Sequence, residues 1–438
     1  MKTAAVIAEY NPFHNGHAYQ LREIRRLTGA DAIVVAMSGD FVQRGEPALV
    51  NKHVRTQMAL LGGADAVYEL PVRFATGSAE YFARGAVHLI AGLGCVDYLC
   101  FGAECDDLPL LQAIASLLNE EPDDYRSVLQ NALKQGLSYP AARQEAVLAA
   151  LRSDTLTGSE LSCDEQELRL ILSSPNNILA IEYLKALERL PQGSTPQPVL
   201  IRRVGSGYHE TALQTGYASA TAVRSYLQQE SARYSDLRSW IPDASAEVLI
   251  QTLKQVPSLT SDDLSAMLHY RLLMGGGWKD YASCFDVPEA LARRIERLQP
   301  SYTDFDTFVQ ELKTKNITEL TIQRALLHLL LQLPKNTSDS TVSFEDALYG
   351  RLLGFRTASS DLLARIRRSA VIPLITKFAD AEDILQHFED HTDLQKTSAL
   401  QLLYETKKAT ALYHAVTLQL LSDAEPAYIE EKQPVIRI

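Results

Sequence analysis

Short apolar runs alternate with amphipathic segments through the first half of the chain. Residues 4–8, 32–37 and 66–70 are apolar almost throughout, as expected for parallel strands that are covered on both faces. Segments with helical spacing follow these runs, and further predicted strands end near Gly102 and span residues 198–204. This alternation predicts an α/β fold, a Rossmann-like doubly wound parallel sheet that binds ligands at the carboxyl ends of its strands.

Beyond about residue 230 the alternation with strands ceases. Helical spacing continues through residues 246–256, 261–274, 288–298, 302–315, 317–333 and 344–353. We therefore expect two domains, an α/β domain at residues 1–230 and an all-helical domain at residues 231–438. Within the first domain, residues 108–150 are predicted to be helical and residues 153–167 to form a polar surface loop.

The composition is that of a soluble globular protein with room for two or three domains. The chain has 438 residues, and no apolar run approaches the roughly 18 residues of a membrane span. The N-terminus lacks the pattern of a secretion signal, so we expect a cytoplasmic protein without a membrane partner. No carboxylate cluster is evident, and the cysteines lack zinc-ligand pairing, so no protein metal site is predicted; the cysteines are Cys95, Cys100, Cys105, Cys163 and Cys284.

The charge distribution bears on nucleic-acid binding. A net charge of −12 argues against indiscriminate binding, although a local basic surface could still dock one RNA. Residues 351–377 carry six basic side chains against a single acid, Asp361. An RNA backbone would suit this stretch, and the alternative is a solvated helix face.

The strand, loop and helix of residues 4–29 form the strongest candidate site. The loop carries His14 and His17 between the predicted strand and the N-terminus of the predicted helix. A helix N-terminus favours the binding of anions. Imidazoles can donate to phosphoryl oxygens, and Gly16 allows a ligand to approach the backbone closely. The interpretation that competes with phosphate binding is a pair of surface or capping histidines.

Other candidates lie beside predicted strand ends. Arg44 follows the second strand, where ligands collect, but could be an ordinary surface charge. Lys52 and Arg55 share one helix face, either as a solvated basic surface or as contacts to phosphate or RNA. Gly102 would let an adenine or ribose rest against the backbone, or is simply a turn glycine.

Two motifs in the candidate loop resemble those of one enzyme superfamily. Residues 14–17 resemble the H-x-G-H motif of the nucleotidylyltransferases, in which two histidines hold the triphosphate of ATP. The longer string E-Y-N-P-F-H-N-G-H at residues 9–17 is similar to that of the bacterial tRNA(Met) cytidine acetate ligase family.

Three further strings extend the resemblance. The string P-N-N-I-L at residues 175–179 resembles one that helps to hold ATP in the ligases, although Asn176 could also cap a helix. Arg203 matches the arginine of the R-[ILV]-x-S motif of the family. Residues 219–224 resemble the S-x-T-x-x-R element, whose hydroxyls, backbone amides and arginine receive phosphate, whereas Ser and Thr before a helix are otherwise usually caps.

The resemblance implies a specific reaction. Such a ligase activates acetate with ATP as acetyl-adenylate and acetylates N4 of the wobble cytidine of elongator tRNA(Met). Mg²⁺ is expected as the companion of ATP. The second domain would then bind tRNA, and no stable protein partner is implied. The alternatives are an adenylyltransferase acting on a small phosphorylated metabolite and a non-catalytic RNA-binding protein.

The resemblance also implies the site residues. His14 and His17 would be catalytic and would hold the triphosphate. The expected ATP contacts are Val6, Ile7, Ala8, Glu9, Tyr10, Asn11, Pro12, Phe13, Asn15, Gly16, Gly102, Asn176, Arg203, Ser219, Thr221 and Arg224.

Overall fold

A computed structural model describes residues 1–152, 164–191, 193, 195–202, 218–335, 343–421 and 428–438. The strands in this part of the chain are β1 (Thr3–Ala8), β2 (Ala32–Ser38), β3 (Ala66–Leu70), β4 (Tyr98–Ala103), β5 (Gln197–Arg202), β6 (Gly350–Phe355), β7 (Leu374–Ile375) and β8 (Ile436–Arg437). The α-helices are α1 (Asn15–Thr28), α2 (Lys52–Leu61), α3 (Val72–Ala75), α4 (Ala79–Gly92), α5 (Leu108–Glu120), α6 (Asp123–Lys134), α7 (Tyr139–Arg152), α8 (Glu165–Ser173), α9 (Pro175–Glu188), α10 (Ala220–Leu227), α11 (Asp243–Gln255), α12 (Ser265–Met274), α13 (Trp278–Ala282), α14 (Glu289–Leu298), α15 (Phe305–Leu312), α16 (Glu319–Leu331), α17 (Ser360–Ser369), α18 (Ala381–Gln386) and α19 (Asp393–Leu420).

The eight strands form one sheet in the order β5-β4-β1-β2-β3-β6-β7, with β8 paired to β6. The strands from β5 to β3 are parallel, and β1 lies between β4 and β2. Their carboxyl ends therefore meet at one edge of the sheet, and the chain order reverses at β1, where ligands bind in open α/β sheets. The predicted α/β fold is confirmed, and so is a mainly helical region after it, with residues 344–353 as an exception.

Both faces of the sheet are covered, which explains the unbroken apolar character of its central strands. In β2, Val34 and Ala36 pack into the core on one face, whereas Ile33 and Val35 pack into the core on the other. Successive side chains in a strand point to opposite faces, so both sets must be apolar when helices cover both faces. This layering holds β1 rigidly in the middle of the sheet.

The strand β6 corrects a prediction of the sequence analysis. We predicted a helix at residues 344–353 and no strand beyond residue 230, but Gly350–Phe355 pairs antiparallel with β3, where Tyr68 lies opposite Leu352. Leu352 and Leu353 enter the cores on opposite faces of the sheet. A short apolar run fits either a helix or a buried strand, and the free edge of β3 decides between them. The domain boundary at residue 230 stays a prediction.

The helices of the second half surround a third core that α19 joins to the sheet. Leu402 and Leu403 of this 28-residue helix pack into the core of the sheet, whereas Tyr413 and Val416 pack among α12 to α16. The helix therefore contributes apolar side chains to both cores, and the two halves of the chain share apolar surface.

Five buried charged side chains also join the two halves. We refer to Asp40, Lys52, Glu69, Arg351 and Glu430 as the Lys52 cluster. The Lys52 Nζ atom lies 2.9 Å from Glu69 Oε1 and 2.8 Å from Glu430 Oε1, and an Arg351 nitrogen lies 2.6 Å from Glu69 Oε2. Asp40 receives a hydrogen bond from the hydroxyl of Thr410 in α19. The cluster lies at the carboxyl edge of β2 and β3, away from solvent.

The burial of α2 overturns both interpretations of its basic face. Lys52 and Arg55 have no exposed surface, so they form neither a solvated face nor a docking surface for RNA. The Arg55 guanidinium donates hydrogen bonds to the carbonyls of Glu9 at 2.6 Å and Ser38 at 3.1 Å. Because a helix end or strand end leaves carbonyls unsatisfied, Arg55 fixes the ends of β1 and β2 relative to each other.

Candidate functional site

His14 and His17 cap the N-terminus of α1 and stack on each other. The Nδ1 atom of His14 accepts a hydrogen bond from the Gly16 N–H at 3.0 Å, and that of His17 accepts one from the His14 N–H at 3.3 Å. The ring centroids are 3.7 Å apart. Because a backbone N–H occupies the lone pair of each Nδ1, each neutral ring carries its proton on Nε2 and can donate it to a ligand. Capping and ligand binding are therefore compatible roles for these histidines.

A cavity of about 250 Å³ opens at the carboxyl edge of the sheet. Its walls come from the ends of β1, β4 and β5 and from the N-terminal turns of α1, α9 and α10. Helix N-termini and strand ends of this kind bind phosphate groups. The predicted site residues that line this edge cavity are Ile7, Ala8, Glu9, Tyr10, Asn11, His14, Gly16, His17, Gly102, Asn176, Ser219, Thr221 and Arg224.

Four of the predicted ATP contacts do not line the cavity and instead pack within the surrounding structure. Val6 is buried within β1, and Pro12 is buried in the turn that follows Asn11. The Phe13 ring packs so tightly on α2 that a Cβ atom at Gly62 would lie 2.2 Å from it. The N–H of Asn15 donates a hydrogen bond to the carbonyl oxygen of Trp240, which follows α10 in the chain. Arg203, the other predicted contact, lies outside the described residues.

The turn after β1 is tied to α10 through Arg224. One Arg224 nitrogen donates to the Asn11 carbonyl at 2.8 Å, and the other lies 3.0 Å from Glu46 Oε1. The side chain of Asn11 in turn accepts the N–H of Leu49 at 2.7 Å. Tyr10 has a φ of 49°, a conformation that is uncommon for residues other than glycine and often found at functional sites. These bonds hold the cavity wall in one geometry.

The N-terminus of α9 is clamped to the end of β4. Asn176 donates its side-chain amide to Glu104 Oε1 at 2.5 Å, and the Asn177 N–H donates to Glu104 Oε2 at 3.0 Å. The helix N-cap is Ser174, so Asn176 does not have the capping role that was its alternative. Gly102 lines the cavity just before this clamp.

Ser219 does have the capping role. Its Oγ atom accepts a hydrogen bond from the Ala222 N–H at 3.1 Å and begins α10. Ser219 and Thr221 nevertheless line the cavity, where the first N–H groups of α10 remain close to a ligand.

Glu9 is the one acid among the described residues that line the cavity. One carboxylate oxygen accepts the N–H of Gln43 at 2.8 Å. Burial raises the pKa of Glu9 above its ordinary value, although this hydrogen bond and the charges of Arg44 and Arg224 oppose the shift.

Several residues that line the cavity are not predicted from the sequence: Tyr19, Gln20, Gln43, Phe82, Phe101, Leu179, Tyr183, Ile201 and Arg202. Helical spacing could have found some of them. Asn176, Leu179 and Tyr183 are three and four residues apart on α9, and Gly16, Tyr19 and Gln20 are similarly spaced on α1. Phe82 reaches the cavity from α4, which no local pattern indicates.

These features define a nucleotide-binding α/β protein of the nucleotidylyltransferase class. A profile of the family described as HIGH Nucleotidyl Transferase matches residues 1–420. The tRNA(Met) cytidine acetate ligase of Acetivibrio thermocellus is 37% identical over 385 residues, which are 87% of this chain and 89% of the relative. The protein of the same name from Clostridium kluyveri is 36% identical over 405 residues, 92% of this chain and 95% of the relative. The chain belongs to the tRNA(Met) cytidine acetate ligase family of HIGH nucleotidyl transferases.

The fold of this protein also matches solved structures over the whole length of the chain. Thermotoga maritima TmcAL in its apo form I superposes with a TM-score of 0.89 at 29% identity and covers 100% of both chains. TmcAL bound with alpha-thio ATP superposes with a TM-score of 0.85 at 29% identity, covering 100% of this chain and 99% of the other. In the part of the chain described here, no helix is both long and apolar enough to cross a membrane.

Proposed function

We propose that this protein activates acetate with ATP as acetyl-adenylate and acetylates N4 of the wobble cytidine of elongator tRNA(Met). The observation that carries the proposal is the convergence of two distant motifs on one cavity. His14 and His17 from α1 and residues 219–224 at α10 line the same space. The relatives named tRNA(Met) cytidine acetate ligase support the substrate assignment.

The proposed reaction needs positioning and charge stabilisation. Acetate is a poor acyl donor because its leaving group would be oxide, whereas AMP leaves readily from an acetyl-adenylate. Attack of acetate on the α-phosphorus releases pyrophosphate, and negative charge grows on the departing phosphates. Donors from His14 and His17 and the N-termini of α1 and α10 would stabilise that charge.

ATP would occupy the edge cavity, as the complex of TmcAL with alpha-thio ATP suggests by its similar fold. The polar end of the cavity around His14, Ser219 and Arg224 suits the triphosphate, and Gly102 and Asn176 suit the nucleoside. We propose that Mg²⁺ arrives with the triphosphate. Among the described residues, no group of three or more His, Cys, Asp or Glu side chains could hold a metal ion, so the phosphates would supply its ligands.

The tRNA surface is proposed for the second half of the chain. Of the basic stretch at residues 351–377, Arg351 is buried in the Lys52 cluster, whereas Arg367, Arg368 and Lys377 are exposed. Exposed basic groups could contact the phosphates of an RNA backbone.

Incorporation of labelled acetate into purified elongator tRNA(Met), with and without ATP, tests the proposed function. ATP-dependent N4-acetylcytidine at the wobble position is the expected result. Exchange of pyrophosphate into ATP with a phosphorylated metabolite and no tRNA acetylation would favour the adenylyltransferase alternative. RNA binding without any exchange would favour a non-catalytic protein.

A further inference from the structure

Glu9 is the only Asp or Glu among the described residues that line the edge cavity. It directly follows β1 and lies five residues before His14 in the sequence. The hydrogen bond from the Gln43 N–H to Oε1 orients the carboxylate, and its backbone carbonyl is held by Arg55. Glu9 therefore lies at a strand end that these two hydrogen bonds hold in place, and it lines the cavity.

The charged and titratable groups around Glu9 come from three elements. Arg44 and Glu46 belong to the loop after β2, Arg224 to α10, and Tyr183 to α9. Arg224 is itself bonded to Asn11 and Glu46. Burial outweighs the two arginines and raises the pKa of Glu9, which makes the ionised carboxylate a stronger base than an exposed glutamate.

The second step of the proposed reaction requires a proton acceptor. The N4 amine of cytidine is weakly nucleophilic because its lone pair is conjugated with the ring, so it must lose a proton as it forms the amide. The Nδ1 lone pairs of His14 and His17 are occupied by backbone N–H groups, and each neutral ring presents N–H at Nε2. Burial raises the pKa of the Tyr10 and Tyr183 phenols, which keeps them protonated.

We propose that Glu9 is the general base that accepts the N4 proton during acetyl transfer. The bond between N4 and the acetyl carbon forms, and the bond between that carbon and the phosphate oxygen breaks. AMP leaves with the electron pair, one N4 proton moves to the Glu9 carboxylate, and solvent water then removes it. This assignment rests on the proposed function and gives Glu9 a role in the second half-reaction beyond its expected contact with ATP.

The two half-reactions can be measured separately in the full-length protein. Acetate-dependent exchange of pyrophosphate into ATP reports adenylation, and single-turnover transfer from acetyl-adenylate to tRNA(Met) reports the second step. We expect Glu9→Gln to slow transfer by about 100- to 10,000-fold and to slow exchange far less, by no more than the loss of one expected ATP contact would. Glu23→Gln is the matched control, since Glu23 pairs with Arg26 on the outer surface of α1.

The pH dependence identifies the proton acceptor. In the parent protein the transfer rate should rise with pH as Glu9 ionises and then level off, and this rise should vanish in Glu9→Gln. Glu9→Asp should keep a rise because it keeps a carboxylate. Equal losses of exchange and transfer in Glu9→Gln would overturn the assignment and place Glu9 in the ATP or acetate site. An unchanged transfer rate or an unchanged pH profile would also overturn it.

Failure of the proposed function would look different. The parent protein would then transfer no acetyl group to tRNA(Met) at any pH, whatever the Glu9 variants do. A melting curve for Glu9→Gln guards against loss of fold, because glutamine keeps the side-chain oxygen that accepts the Gln43 N–H.

Discussion

The Lys52 cluster and the edge cavity lie at the same carboxyl edge of the sheet, but their polar groups are used differently. In the cluster, the C-terminal half supplies Arg351 and Glu430 to match the charges of Asp40, Lys52 and Glu69. In the cavity, imidazole N–H groups, helix N-termini and Glu9 face open space. The edge of a parallel sheet thus gathers polar side chains, and what covers them decides whether they stabilise the fold or serve a ligand.

The largest expected effect is on the cluster. Replacing Lys52 by Met leaves buried carboxylates without their cation, so we expect the free energy of unfolding to fall by about 3–5 kcal/mol in denaturant titrations. The exposed pair of Lys377 and Asp380 supplies the control, and Lys377→Met should change stability little. Equal effects of the two substitutions would show that the cluster has no special structural role.

The next effect is on chemistry in the cavity. His14→Ala or His17→Ala removes a donor to the departing phosphates, and adenylation should slow by about 100- to 1,000-fold. Binding of tRNA(Met), measured by filter retention, should stay close to that of the parent protein. His387→Ala is the control because that imidazole is 73% exposed. Equal losses of adenylation and tRNA binding would contradict the assigned role.

Ser219 both stabilises the fold and faces the proposed ligand, since it caps α10 and lines the cavity. Ser219→Ala should lower stability by about 1 kcal/mol through loss of the cap. Ser219→Asp restores a capping oxygen but places a negative charge near the proposed phosphates. We therefore expect Ser219→Asp to recover stability yet bind ATP more weakly than Ser219→Ala, as calorimetry would show. Recovery of both properties would mean that Ser219 acts only as a cap.

The smallest effect concerns stability as a function of pH. Burial alone would raise the pKa of Asp40 and Glu430, but Lys52 and neighbouring groups lower the pKa of both carboxyls. Their ionised forms therefore stabilise the fold. This stabilisation is lost as the pH falls through the lowered pKa values. Glu9 has the opposite sign. Its raised pKa means that ionisation above the ordinary glutamate value destabilises the folded state.

Glu9→Gln should therefore raise the melting temperature at neutral pH, and the difference from the parent protein should shrink in acid as Glu9 becomes protonated. The substitution Glu23→Gln should show no such gain. A Glu9→Gln protein that is less stable than its parent at neutral pH would contradict the raised pKa.

The sequence was a good guide where the structure is local. The strand at Thr3–Ala8, the turn through Asn11 and the helix that His14 begins are one continuous stretch, and their spacing predicts the motif before any fold is known. Most residues predicted for the site line the cavity for the same reason, because strand ends and helix starts meet at one edge of a parallel sheet.

The errors fall where contacts join distant parts of the chain. Lys52 looked like a surface lysine because its helix has an ordinary amphipathic pattern, yet it is covered by segments from the far end of the sequence. Residues 344–353 looked helical because an apolar run does not by itself distinguish a helix from a buried strand.

By itself, the sequence determined the alternating sheet, the motif of His14 and His17, and the family resemblance that those strings carry. The tertiary structure decided that β6 completes the sheet, that Arg351 pairs with Glu69 across 282 residues, and that Glu9 is enclosed in the cavity wall. The physical reason is that spacing along the chain encodes local geometry, whereas burial and charge pairing depend on which distant segment covers each surface.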